Sequence, residues 1–342
     1  MKAVGKTGSI LLVLSLIALL GIGGVVAEEL VEKAQEEGRV IFYANITAVE
    51  PIMEDFEEEY GVKAEYTRIS SSDYIPTVMT EFQAGKLKAD VLQAPMPMME
   101  LLKDEGVLGD YVSPRAELYP EWARDPDGVI QQFGIEYVGI IYNTELVDEL
   151  EVPTSYKELT DPRWKNKLVM PDPATHATTI TWLLGVRDYV FDGDEEEWRD
   201  WLGGLADNNP YFAKSFGPSP GPIESGEKLI GESMPKYIIS KAPAPLGWAD
   251  VSKSGEPLMG TPRGIAIRKD PEHPNAAKLF IDYWLSEASM EVLANEVGEY
   301  VLYEGIYPPI AGIENPEVQP LESLPDWKID HWASEFEDIF YD

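Results

Sequence analysis

Three segments rich in hydroxyl and amide side chains each follow a run of β-forming residues, and together they have the chemistry to hold a small polar guest. Asn45 follows Val40 to Ala44; Ser70, Ser71 and Ser72 follow Val62 to Arg68; Gln93 follows Ala89 to Leu92. Hydroxyls and free backbone N–H groups at a helix start bind phosphonate, phosphate or carboxylate, helped by the helix dipole. Each serine also serves as a plain helix cap. Further along, Thr175, His176, Thr178 and Thr179 follow Leu168 to Met170 and open another helix. Ser215 and Ser219 flank the start of a Gly/Pro loop, and Tyr237 and Trp248 carry rings that stack on a guest or close its apolar side. Asp250 offers a carboxylate to an amine. His273, before Pro274 at a helix entry, reads as a capping or surface residue, and His331, in the tail, as structural. This is equipment for binding. The chain has no cysteine, so a thiol nucleophile is excluded.

Parallel strands and their following helices must position these groups. Val40-Ile41-Phe42-Tyr43 is a continuous apolar run, as in a strand buried on both faces. Pro51 opens a helix with Ile52, Phe56 and Tyr60 on one face, ended by Gly61. In open α/β sheets the loops at the carboxyl ends of strands form the ligand crevice, which places Asn45, the serine triplet and Gln93 on one rim. Phe133 to Asn143 reads as a long strand crossing to a second lobe, and Met259 to Gly264 as the return crossing. Lys228 to Gly231 and Lys236 to Ser240 read as short strands. From Pro274, Ala277, Phe280, Ile281, Trp284 and Leu285 follow the 3.6-residue period of a helix.

The expected organisation is a signal peptide over 1–27, lobe 1 over 38–132, lobe 2 over 133–264, completion of lobe 1 over 265–312 and a C-terminal surface tail over 313–342. The fold class is α/β, with two lobes joined by a two-segment hinge that permits closure around a guest. Lys2, Lys6, the apolar run Ile10 to Leu20 and Val25-Val26-Ala27 fit an export leader cleaved near Ala27, and hence a periplasmic protein. The net charge of −34 excludes the basic footprint of a nucleic-acid binder. The runs Glu57 to Glu59 and Asp194 to Glu197 read as solvated faces, without the spaced oxygen ligands and central Gly of a calcium loop.

Six blocks carry a family resemblance: Val40 to Ala44 with the Pro51 helix, Phe82 to Lys86 through Val91, Tyr142-Asn143-Thr144, Asp161 to Lys165, Met170 to Thr175, and Gly260-Thr261-Pro262 through Phe280. In order and spacing they resemble the type II periplasmic solute-binding proteins of ABC importers, in the branch that takes ferric iron, thiamine, phosphonates and polyamines. The resemblance implies a non-enzymatic monomer that carries a small-molecule ligand to an ABC permease in the inner membrane, with no cofactor of its own. Ferric-binding members carry adjacent tyrosines in the second lobe and usually a His after the first strand. Here Tyr237 stands alone and Asn45 occupies the region of that His. Iron(III) held by Tyr237 is therefore the second choice of guest, after a small oxyanion-bearing solute. A polyamine or thiamine-like cation at Trp248 is third, and an exported hydrolase or a chemosensory role on the same scaffold are further alternatives.

Overall fold

The computed structural model describes residues 28–314, 317–322 and 324–341. The leader expected over 1–27 lies outside these residues. Helix α1 (28–37), which the sequence pattern leaves unassigned, ends at Gly38, whose φ of 76° is open to glycine at no steric cost.

The first lobe is built from β1 (Arg39–Ala44), α2 (Glu50–Tyr60), β2 (Lys63–Arg68), α3 (Ser71–Gln83), β3 (Val91–Pro95) and α4 (Met96–Asp104). β1 runs parallel to both β2 and β3, as its unbroken apolar run requires. Pro51 lies in the first turn of α2, and Gly61 closes it at φ 66°. Asp90, fully buried, ties the layer together: it accepts from the Ile41 N–H at 2.9 Å and from the His273 N–H at 3.0 Å, with His273 Nδ1 at 2.8 Å.

Two long strands carry the chain across. β4 (Gln131–Asn143) pairs antiparallel with β9 (Leu258–Ile267) from Gln131↔Ile265 to Val138↔Met259. Beyond that stretch β4 pairs with β7 (Ile230–Ser233) and β8 (Leu246–Ala249); on its other edge, over Arg263 to Ile267, β9 pairs with β3. The second lobe adds β5 (Leu168–Pro171), α5 (Ala177–Val190), α6 (Glu195–Asp207), β6 (Tyr211–Ala213), α7 (Pro220–Glu224) and α8 (Lys236–Ser240), with β5 parallel to β6 and β7. The α/β two-lobe architecture expected from the sequence is present.

One element is corrected. Residues 236–240, expected as a strand, form α8. Pro235 sits at its N-cap in the helical region (φ −53°, ψ −23°) and starts a turn, and a short apolar run such as Tyr-Ile-Ile does not distinguish the two states.

Each lobe has its own core. In the first, α9 (Pro274–Trp284) lays Phe280 and Trp284 against Phe42, with ring centroids 5.0 and 5.1 Å away. The second centres on Trp182, Trp198 and Trp201. There α11 (Asp326–Tyr341) packs its apolar face onto α5 and α6, with Trp332 edge-on to Trp198 at 5.5 Å and Phe336 fully buried. After α10 (Glu287–Val292), a π-helical turn over Leu293–Val297 leads to β10 (Tyr300–Val301), which pairs with β4. Among the described residues no helix is long and apolar enough to cross a membrane.

Candidate functional site

A cavity of roughly 370 Å³ opens between the lobes at the level of the crossing strands. It collects side chains from both. The first lobe gives Asn45, Thr47, Arg68 and Ser71; the second gives His176, Ser215 and Tyr237; Glu136, Lys236 and Arg263 lie at its floor. A larger groove of about 1180 Å³ beside α1 and α9 belongs to the first lobe alone and contains none of the ligand-binding candidates read from the sequence.

The first wall is held by bonds from the loop after β1 to the start of α3 and to β3. Asn45 follows β1 and donates to Ser71 Oγ at 2.9 Å. Gln93 does not line the cavity: it is fully buried, and its side-chain Oε1 accepts from the Ile46 N–H at 3.2 Å, which holds the loop after β1. In that loop Ala48 takes φ 60°, a conformation that costs a non-glycine residue about 1–2 kcal/mol. Ser70 occupies the N-cap of α3, and its hydroxyl donates to Asp73 at 2.5 Å. Asp73 thus brings a carboxylate to the helix start, where an anionic guest was expected to sit. Of the serine triplet, Ser71 reaches the cavity. Ser70 is not among its lining residues, and the side chain of Ser72 lies outside the described set. Arg68, the last residue of β2, is exposed and forms no ion pair among the described residues.

The opposite wall is more deeply built. His176 is the N-cap of α5: its Nδ1 accepts from the Thr179 N–H at 3.3 Å, and its ring stands edge-on to Phe216 at 4.9 Å. Burial lowers the His176 pKa, against the opposing pull of Asp172 and Glu136. Thr175 and Thr178 do not line the cavity; Thr175 points to solvent, and the Thr178 carbonyl accepts from Thr181. Ser215 does line it, while Ser219 is buried in its turn and donates to the Phe216 carbonyl at 3.0 Å. Trp248, on β8 beside β4, is buried with its indole nitrogen next to Gly139 and does not reach the cavity.

The floor is an ion quartet. Arg263 Nη2 lies 2.7 Å from Glu136 Oε1, Lys236 Nζ lies 3.0 Å from the same oxygen, and Glu299 approaches Arg263 Nε at 3.3 Å and Lys236 Nζ at 3.5 Å. The Arg263–Glu299 contact is one of charge without an aligned hydrogen bond. Burial alone would raise the Glu136 pKa, but Arg263 and then Lys236 outweigh it and hold the carboxyl at about 2. Arg263 Nη1 also donates to Asn45 Oδ1 at 3.3 Å, which joins floor to wall. A buried pair of this kind contributes little net stability but is costly to break by removing one member.

Arg68, Glu136, Lys236 and Arg263 were not among the residues picked out from the sequence. Arg68 was legible by the same strand-end rule that selected Asn45. Glu136 and Arg263 are charges inside otherwise apolar strands, an arrangement that buried strands accept only when the charge is paired. Among the described residues no group of three or more His, Asp or Glu side chains is placed to hold a metal ion.

Two lobes, a shared pair of crossing strands and a polar cavity between them define a solute-binding protein with the type II periplasmic fold found in ABC importers. Residues 88–320 match the model for the bacterial extracellular solute-binding protein family, and the chain belongs to that family. A probable ABC transporter periplasmic-binding protein of Sinorhizobium fredii is 24% identical over 258 residues, covering 70% of this chain and 69% of that one. Iron-bound HitA from Pseudomonas aeruginosa has a similar fold, with a TM-score of 0.62 and 20% identity over 89% of this chain and 98% of that one. So does AfuA from Actinobacillus pleuropneumoniae with fructose-6-phosphate bound, with a TM-score of 0.62 and 21% identity over 89% and 97%.

Proposed function

We propose that the protein captures a small oxyanion-bearing solute (a phosphonate, organic phosphate or carboxylate) between its lobes and delivers it to an ABC permease in the inner membrane. One observation carries the choice of guest. In a chain with 61 acidic and 27 basic residues, Arg68 stands at the cavity without a carboxylate partner among the described residues. Around it Asn45, Ser71, Ser215 and Tyr237 offer neutral hydrogen-bonding groups. Charge-assisted bonds from a guanidinium to an oxyanion are the strong ones, and an arginine answered by a guest rather than by the protein fits that use.

The lobes are assigned as 38–132 with 265–312, and 133–264, with 313–342 as an appended segment. The strands β4 and β9 are the hinge. The guest favours the closed form because Arg68 and His176 stand on opposite lobes, so it meets both only when the lobes approach. The protein acts in the periplasm as a monomer, after removal of residues 1–27, and performs no chemistry on its guest.

Iron(III) at Tyr237 is the second reading, supported by the iron-bound relative. Burial, partly offset by Lys236, raises the Tyr237 pKa and disfavours the phenolate that iron requires. The cation reading loses its stacking wall with Trp248 buried. A thermal-shift panel separates the three: phosphates and carboxylates are expected to raise Tm, and polyamines are not. A visible tyrosinate-to-iron band on adding ferric citrate, with no response to anions, would replace the first reading by the second.

A further inference from the structure

The start of α5 contains a hydrogen-bond chain that leads away from the cavity into the second lobe. Nδ1 of His176 accepts from the Thr179 N–H, so Nδ1 is the ring nitrogen without a proton. Thr179 Oγ1 lies 3.1 Å from that nitrogen and 3.2 Å from Oε1 of Glu232, which β7 brings from 53 residues away. Thr179 is fully buried and Glu232 is 3% exposed. The second oxygen of Glu232 has no hydrogen-bond partner, and no Lys or Arg pairs with this carboxyl among the described residues. A threonine hydroxyl has one proton to give. If Glu232 were a carboxylate, it would take that proton and remain an unpaired buried charge, an arrangement proteins avoid by neutralising the group. Burial accordingly raises its pKa well above the usual carboxylate range. As a neutral acid, Glu232 donates to Thr179 Oγ1, and Thr179 donates to Nδ1.

We propose that Glu232 and Thr179 are positioning residues that lock His176 as its Nε2–H tautomer, making it a neutral donor that selects oxygen atoms of an anionic guest over a metal ion. With Nδ1 turned to the helix, the Nε2 edge is what the ring offers the cavity it lines. A protonated Nε2 has no lone pair for a metal, whereas it donates to phosphate or carboxylate without adding a fixed charge. The lock itself needs no guest; its role in selection rests on the oxyanion reading.

The chain has three histidines, so the full-length protein labelled with ¹⁵N in its imidazoles gives three assignable ring systems. His176→Gln identifies the His176 pair. At neutral pH the expected spectrum shows an unprotonated Nδ1 and a protonated Nε2 for His176, and infrared difference against Glu232→Gln shows the carbonyl stretch of a protonated acid. Inorganic phosphate is then added, and the His176 Nε2 signal is expected to shift. An imidazolium or Nδ1–H form of His176, or an ionised Glu232, overturns the lock. A lock as described with Nε2 silent to phosphate, while phosphate still shifts Tm, overturns the role in selection. Silence in both signals counts against the oxyanion reading beneath it. Glu232→Gln, which keeps a donor toward Thr179, is expected to preserve the tautomer and to hold phosphate affinity within about twofold; Glu232→Leu is expected to weaken it about fivefold or more.

Discussion

The helices α3 and α5 both begin at the cleft after a strand, and both carry hydroxyl residues in their first turn, yet the two walls they make differ in depth. At α3 the bonds stay at the rim: Ser70 to Asp73 within the helix start, and Asn45, from the loop after β1, to Ser71. Arg68 beside them is solvated and unpaired among the described residues. At α5 the bonds run inward, from His176 through buried Thr179 to Glu232 on another strand. The first wall is therefore open to respond to a guest, and the second is fixed in advance. Changes at α3 should alter affinity and leave stability alone; changes at α5 should alter both.

The largest expected effect lies at the floor that joins the walls. Arg263→Ala strands Glu136 and Glu299 without their main counter-ion, and should cost about 3–5 kcal/mol in urea unfolding. A loss under about 1 kcal/mol would mean that the quartet is not the structural link assigned here. Next comes Arg68→Ala. Removal of one charge-assisted bond is expected to weaken oxyanion binding by about 1.5–3 kcal/mol, roughly 10- to 150-fold by calorimetry, with unfolding unchanged within about 0.5 kcal/mol.

Thr179→Val compares directly with Ser71→Ala. The first leaves Nδ1 and Glu232 short of a partner in the interior and should destabilise by about 1–3 kcal/mol; the second, at an exposed hydroxyl, should stay within about 0.5 kcal/mol. Equal losses would erase the contrast between the walls. Glu232 sharpens it by pH. Its folded pKa is raised above the unfolded value of about 4.3, so the stability it contributes is fully present below that pH and is lost as pH rises through the folded pKa. Glu232→Gln cannot ionise. Its stability relative to the native chain should therefore grow by up to about 1.4 kcal/mol per pH unit above about 4.3, read from urea midpoints at about pH 5 and about pH 7. A flat difference would mean that Glu232 is already ionised when folded.

Much of this frame is written in local pattern. The apolar run at Val40, Pro51 and Gly61 around α2, and the period of α9 are each settled by residues a few positions apart, and so were readable. The rim residues Asn45, Ser71, His176 and Ser215 followed from one rule about strand ends, and Tyr237 from its ring and from the family resemblance. What escaped depends on distance in sequence. Nothing near Glu232 says that Thr179 will meet it, and Lys236 reads as an ordinary surface lysine until α8 turns it to Glu136 and Glu299. Trp248 was misplaced for the same reason: its neighbours suit a binding loop, and only the packing of β8 beside β4 buries it. The strand expected over 236–240 failed because Pro235 acts on a run too short to show a period.

The most direct test is native mass spectrometry of the protein purified without denaturation, beside Arg68→Ala prepared the same way. The native chain should carry one small acidic guest, released on unfolding, and the variant should have lost most of it. A guest retained equally by both proteins, or a bound mass that is ferric iron alone, would contradict a cleft built to take an oxyanion.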